Sequence, residues 1–327
     1  MFRHPMALPF RLQQVSKKSK IMTRLNYLKS TILAVSVSFI IASCDKIDEP
    51  YVIHNKPIDT SVCPVPEFPV VTAHYKRALL EDYTGRKCVN CPGAAITARD
   101  MKEQYKDSLV VMAVHAGYFA EIKTSEIGTI WGYDFRTEAG TAWDDFFKVG
   151  ALGNPNGMVS RKGYTANQQV LPPGAWANAV KNTIAEAPLM DLQLITEYNA
   201  AEDKLCIHAK TSFLQPISGR SLSLILLVIE DNIVQAQKNN NTAIGLTPDI
   251  LDYNHMHVMR GAVNGTWGTP ILLKESTSAD PVVKSYPMKF ESFNVNSMVP
   301  ENCHVIAFVY DVDTKEVLQA AEAAVVE

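Results

Sequence analysis

The stretch TGRKCVNCPG, Thr84 to Gly93, decides how this chain is read. Two cysteines separated by Val89 and Asn90 make a redox couple, half of a zinc site or a structural staple, and their neighbours bear on the choice. Upstream, Ala78–Tyr83 reads as a strand that ends at Thr84-Gly85. Downstream, Ala94, Ala95, Ala98, Met101 and Tyr105 recur at helical spacing, which predicts a helix over Cys91–Lys106. Cys88 then stands at a strand-to-helix junction, where the unpaired N–H groups and dipole of a helix start favour thiolate over thiol. Arg86 and Lys87 add positive charge beside it, and Cys91, one turn on, is placed to resolve a mixed disulfide. A structural zinc takes four ligands, and no second C-x-x-C is present, so no metal and no cofactor are expected. An inert disulfide that staples the helix start stays open beside the redox couple.

Working outward, Leu109–His115 is a continuous apolar run suited to a central parallel strand. An insertion follows with Tyr118, Phe119, Trp131, Tyr133, Phe135 and Trp143, aromatic enough to form a small core of its own or a binding surface. Ala142–Lys148 reads as a short helix, Gly153–Gly157 as a proline loop, Met158–Arg161 as a strand and Pro173–Glu186 as a helix. A strand ending in C-x-x-C at a helix start, with Pro155 later just before an edge hairpin, resembles the thioredoxin-like fold. The resemblance implies that Pro155 is cis, faces the disulfide and offers backbone to an extended substrate. It also implies that Asp82 is a buried acid that helps deprotonate the second cysteine. Three features depart from that pattern: no tryptophan precedes Cys88, the intervening pair is Val-Asn, and Asn154 precedes Pro155.

Beyond Pro188 the pattern changes to strands: Asp191–Tyr198, Leu205–Phe213, Leu222–Ile229, Val258–Val263, Met288–Val295, Val305–Tyr310 and Val317–Val325. The expected fold class is therefore α/β plus all-β. A thioredoxin-like domain over 70–188 is followed by an immunoglobulin-like β-sandwich over 189–327. Asn264-Gly265 is a tight-turn pair, and His255 and His257 are either a two-histidine metal site or loop histidines. Cys206 and Cys303 lie on different strands and either pair across the sandwich or stay packed as thiols, while Cys63 has no evident partner.

The N-terminal region carries its own signal. Arg24 and Lys29 precede the apolar run Ile32–Ile41, which is too short to span a bilayer and suits a signal peptide over 1–43. Ile41-Ala42-Ser43-Cys44 resembles a lipobox, which implies lipidation of Cys44 and a stable membrane anchor through more than one acyl chain. Met1 and Met22 are both candidate starts. Residues 44–69 hold prolines at 50, 57, 64, 66 and 69 and read as a semi-rigid tether, and Asp48-Glu49 resembles an acidic surface-export signal. With Cys44 acylated, five of the six cysteines remain in an oxidising or mixed space, an odd number. A formal net charge of −3 gives no reason to expect nucleic acid as a partner. The chain has no Walker loop, dinucleotide fingerprint, zinc-protease motif or nucleophile elbow.

Taken together, the lipobox and the blocks LLEDYTGRKCVNCPGA (Leu79–Ala94), HVMRGAVNGTWG (His257–Gly268) and VIAFVYDVDTKEVLQAAEA (Val305–Ala323) resemble the outer membrane protein 28 family. The resemblance implies an envelope lipoprotein of an anaerobic Gram-negative bacterium, held at the outer membrane, with an adhesin or receptor role suggested for its members. Two functions follow. One is thiol–disulfide exchange on envelope or extracellular proteins through Cys88, Cys91, Asp82 and Pro155. The other is a surface adhesin or receptor, contacting a host or envelope partner, in which the thioredoxin-like unit is a scaffold. A cis peptide before Pro155 near an exposed Cys88 sulfur would favour the first, and a covered C-x-x-C the second.

Overall fold

The computed structural model describes residues 62–278, 280–290 and 298–326. Cys44, the apolar run before it and most of the proline-rich segment lie outside the described residues. Strand β1 (Ala78–Thr84) is buried along its whole length, between β2 (Leu109–His115), which runs parallel, and β3 (Asn156–Val159), which runs antiparallel. Such a strand shows opposite faces to two cores, because successive side chains alternate. Leu79, Glu81 and Tyr83 face one side, and Ala78, Leu80, Asp82 and Thr84 the other.

The sheet continues beyond β2 through β9 (Val258–Ala262), β6 (Leu222–Glu230), β12 (Cys303–Asp311) and β13 (Val317–Ala324), and β10 (Thr269–Leu272) also pairs with β6. Its first face is covered by α2 (Glu138–Phe147), where Trp143 and Phe147 pack with Leu79, Met112, Ile225, Leu227 and Phe308. The second face has two covers. Over β1 to β3 lie α1 (Cys91–Tyr105) and α3 (Pro173–Ile184), with Ala98, Met101, Trp176 and Val180 against Leu80 and Val111. Over β6 and β12 lies a three-stranded sheet of β11 (Val282–Met288), β5 (Lys204–Phe213) and β4 (Met190–Asn199), with Leu192, Leu205 and Ile207 against Leu226, Val228 and Val305. A separate two-stranded ribbon joins β7 (Ile233–Lys238) to β8 (Asp249–His255).

This arrangement revises the expected division near residue 188. The main sheet draws strands from both sides of that position, and Ile58–Glu327 is one compact unit. The change of pattern at 188 is real, but it marks a change of secondary structure inside one sheet, because β6 and β9 extend the edge left open by β2. The β-rich half does have two packed layers, so the architecture is α/β joined to a β-rich part.

Local chemistry explains the other differences. The helix read as Ala142–Lys148 begins earlier, at Glu138, because the Thr137 hydroxyl accepts from Gly140 N–H at 3.0 Å and caps it. Met288, read as the start of a strand, ends one instead, and residues 291–295 of that reading lie outside the described residues. Pro287 fits β11 because that strand is at a sheet edge. Asn264 does more than turn: its side chain accepts from Leu226 N–H at 2.9 Å and donates to Leu224 C=O at 2.8 Å, tying the turn to β6.

Cys63 forms a disulfide with Cys206 on β5, 143 residues away, and Cys303 is a buried free thiol. Of the two readings open for Cys206 and Cys303, the packed thiol holds for Cys303, while Cys206 takes Cys63, which had no evident partner in the sequence, as its own. At the centre of the first face, Arg161 donates twice to the Glu81 carboxylate, at 2.8 Å each, with both side chains fully buried. The guanidinium lies over the rings of Trp143, Phe147 and Phe308 at 4.8–5.0 Å. Arg161→Met should leave Glu81 as a lone buried charge and lower unfolding stability by about 3–5 kcal/mol in urea titration. Replacing Cys63 and Cys206 together by serine should cost about 2–5 kcal/mol in the same assay.

Candidate functional site

Cys88 and Cys91 are joined in a disulfide, and Cys91 is the first residue of α1. A turn delivers the chain from β1 to the helix: Cys88 N–H donates to Gly85 C=O at 2.9 Å, and Cys91 N–H to Cys88 C=O at 3.3 Å. Gly85 is needed there, because a Cβ would stand 2.5 Å from the backbone of Phe119. The Asn154–Pro155 peptide is cis. Asn156 pairs with Tyr83, so Pro155 comes at the end of β1 that leads to the cysteines.

The charges expected to act on Cys88 are engaged elsewhere. Lys87 pairs with Glu126 at 2.8 Å, and the buried Arg86 donates to Trp131 C=O and lies over the Trp131 and Phe135 rings. The aromatic insertion is therefore no separate core: Phe135 packs with Ile233 and Val258, and Trp143 is in the main core.

A second element closes over the motif. Lys238 N–H donates to Arg86 C=O at 2.8 Å, and Asn240 N–H to Val89 C=O at 3.3 Å. The buried Gln237 amide donates to Cys88 C=O at 2.9 Å, and the Asn240 amide to the Asn90 side chain at 2.7 Å. The β7–β8 ribbon thus takes up the backbone acceptors around the cysteines, and Cys88 and Cys91 are only 2% and 3% exposed. An exposed Cys88 sulfur is not found. Sequence patterning misses this cover, because Gln237-Lys238-Asn239-Asn240-Asn241 carries no strand period; the Asn239 side chain instead shapes the loop by bonding Asn241, Gly245 and Leu246 carbonyls.

Between α1, the sheet and β8 lies a cavity of about 350 Å³ lined by Asp82, Cys91, His115, Gln237, Tyr253 and His255, among others. Burial raises the Asp82 carboxyl to about 7, and its Oδ1 has no hydrogen-bond partner. Neither ring nitrogen of His115 has one either, nor does His255 Nε2. Burial first, then the neighbouring His255 and Arg86, hold His115 well below its usual range. Burial and Arg86 push His255 down to about 3, and burial pushes Tyr253 up to about 12. His255 and His257 take different roles, since His257 C=O accepts from Ala113 N–H at 2.7 Å to join β9 to β2. No cluster of three or more potential metal ligands occurs among the described residues.

Residues 141–327 match the family described as Outer membrane protein Omp28. The chain belongs to the Omp28 family. The outer-membrane location expected from the sequence is that of this family, and no helix among the described residues is long and apolar enough to cross a membrane. No curated protein matches the sequence. Among solved structures the chain is similar to HBP35 of Porphyromonas gingivalis, at 18% identity and a TM-score of 0.54, over 77% of this chain and 76% of that one. That likeness concerns the fold. A domain of the outer membrane lipoprotein Omp28 from Porphyromonas gingivalis also matches, at 22% identity and a TM-score of 0.29, over 42% of this chain and 88% of that one.

The opposite pKa shifts in this Omp28 family chain separate by pH. Asp82, raised in the fold, favours folding at acid pH and loses that contribution as pH rises from about 4 through about 7. His115 and His255, lowered in the fold, favour folding above about 6.5 and lose their contribution as pH falls. Asp82→Asn should raise the Tm most at pH 8, by the equivalent of at most about 4 kcal/mol, and change it little at pH 4. A scan of Tm against pH for both proteins checks this.

Proposed function

We propose that this chain is an outer-membrane lipoprotein, anchored through lipidated Cys44, whose α/β part is thioredoxin-like and carries out thiol–disulfide exchange on envelope or extracellular proteins. The observation that carries this reading is Asp82. A carboxyl group buried with an oxygen unpartnered weakens a fold, and it lines the same cavity as Cys91. A group with such a pKa beside a disulfide is suited to taking a proton from a thiol near neutral pH.

In the reduced protein, Cys88 thiolate attacks a substrate disulfide; a Cys88–substrate S–S bond forms and the second substrate sulfur leaves as thiolate. Cys91, giving its proton to Asp82, then attacks Cys88 Sγ. The Cys88–Cys91 bond forms, and the other substrate sulfur departs, so the substrate gains two electrons and the protein loses them. Pro155 positions substrate backbone at the end of β1. Access to Cys88 requires the β7–β8 ribbon to move aside.

Burial of both cysteines favours a second reading, in which the disulfide is a staple and the α/β part a scaffold. The β-rich part, immunoglobulin-like in its layering, then serves a surface adhesin or receptor. Equilibration of the full chain with glutathione buffers separates the two. A potential between about −120 and −270 mV, with mixed disulfides trapped on Cys88 in the Cys91→Ser variant, supports exchange. A potential below about −300 mV, or sulfurs that never react in the folded protein, overturns it in favour of the scaffold.

A further inference from the structure

The cavity beside Cys91 has the build of a ligand site, whether or not the disulfide exchanges. Its volume of about 350 Å³ lies within the range of about 300–1,000 Å³ usual for small-molecule pockets. Its walls are largely apolar: Ala95 and Ile96 from α1, Val111 and Ala113 from β2, and Ile244 from the loop between β7 and β8. Water gains little along such walls, whereas an apolar body gains contact and leaves solvent.

The polar groups are few and drawn from the sheet and the ribbon. Asp82 on β1, His115 on β2 and His255 on β8 are 3%, 4% and 5% exposed, and each turns at least one unpartnered polar atom to its surroundings. A neutral imidazole has one donor and one acceptor, and His115 has neither matched. His115 is held flat against Phe135, with ring centroids 4.5 Å apart and an angle of 17°, so its two nitrogens point in fixed directions. His255 is tilted against Phe135 at 44° and meets Tyr253 edge-on at 73°, so the second imidazole is packed from two sides. The exposed Arg99, Asn254 and Met256 also line the cavity and mark where it meets solvent. The Arg99 charge is already paired with Asp100 at 2.8 Å.

We infer that this cavity binds a small uncharged molecule with an apolar body and a head that both donates and accepts hydrogen bonds, received by Asp82, His115 and His255. An anionic head meets no free cation among the described residues of the cavity, because the Arg99 charge is paired with Asp100, and it loses its hydration on entry. A wholly apolar molecule leaves the imidazoles unmatched.

Three probes of one shape test this by calorimetric titration of the full chain at pH 7: benzamide, benzoate and toluene. Benzamide should bind in the millimolar range or tighter, and the other two at least about tenfold more weakly, the discrimination expected when a buried polar group is left unpaired. Ala95→Phe, which fills the cavity from α1 without touching its polar groups, should weaken benzamide about tenfold or more while leaving the protein folded. His115→Phe should weaken benzamide but not toluene. Absence of benzamide binding, equal binding of the three probes, or unchanged benzamide affinity in a folded Ala95→Phe variant would overturn the inference. Failure of His115→Phe to fold leaves the Ala95→Phe result to decide.

Discussion

The Glu81–Arg161 ion pair holds the centre of this fold. Two groups fully removed from water are tolerated because the carboxylate receives both forks of the guanidinium and the cation is enclosed by aromatic faces. Arg161 follows β3, Glu81 lies on β1, Trp143 and Phe147 belong to α2, and Phe308 to β12, so one interaction joins elements from both ends of the chain. Ser160 and Arg161 both have positive φ, and Ser160 C=O accepts from Val317 N–H at 2.9 Å, which brings the start of β13 to the same place.

Because Glu81 is committed to one face of β1, its neighbour Asp82 must turn to the other. Two adjacent carboxyl groups are therefore buried with opposite fates. Glu81 is fully paired, whereas Asp82 has an oxygen without a partner and is pushed toward its neutral form. The alternation of a strand thus places a paired carboxylate on one side and a carboxyl held toward its neutral form on the other.

The cysteine pair shows how a local motif and its surroundings set different properties. Its position at a helix start follows from a turn of a few residues, while its exposure is set by a ribbon about 150 residues later in the chain. The same ribbon supplies Tyr253 and His255 to the cavity, so it both shields the sulfurs and completes the pocket. Cys63–Cys206 likewise fastens the segment before β1 to the three-stranded sheet, across a separation no sequence pattern records.

What the sequence determined by itself is the set of short-range features: the boundaries of β2 and α1, the strand-to-helix site of Cys88 and Cys91, and the runs that became β5, β6, β12 and β13. These depend on side-chain periodicity within one element, which is written in neighbouring residues. Tertiary structure alone decided that one sheet crosses residue 188, that Cys63 rather than Cys303 meets Cys206, that Arg86 and Lys87 are engaged by Trp131 and Glu126, and that His115 faces Asp82's cavity. Each of those depends on contacts between residues distant in the chain, and burial, which sets the pKa of Asp82 and the reach of the sulfurs, exists only after those contacts form.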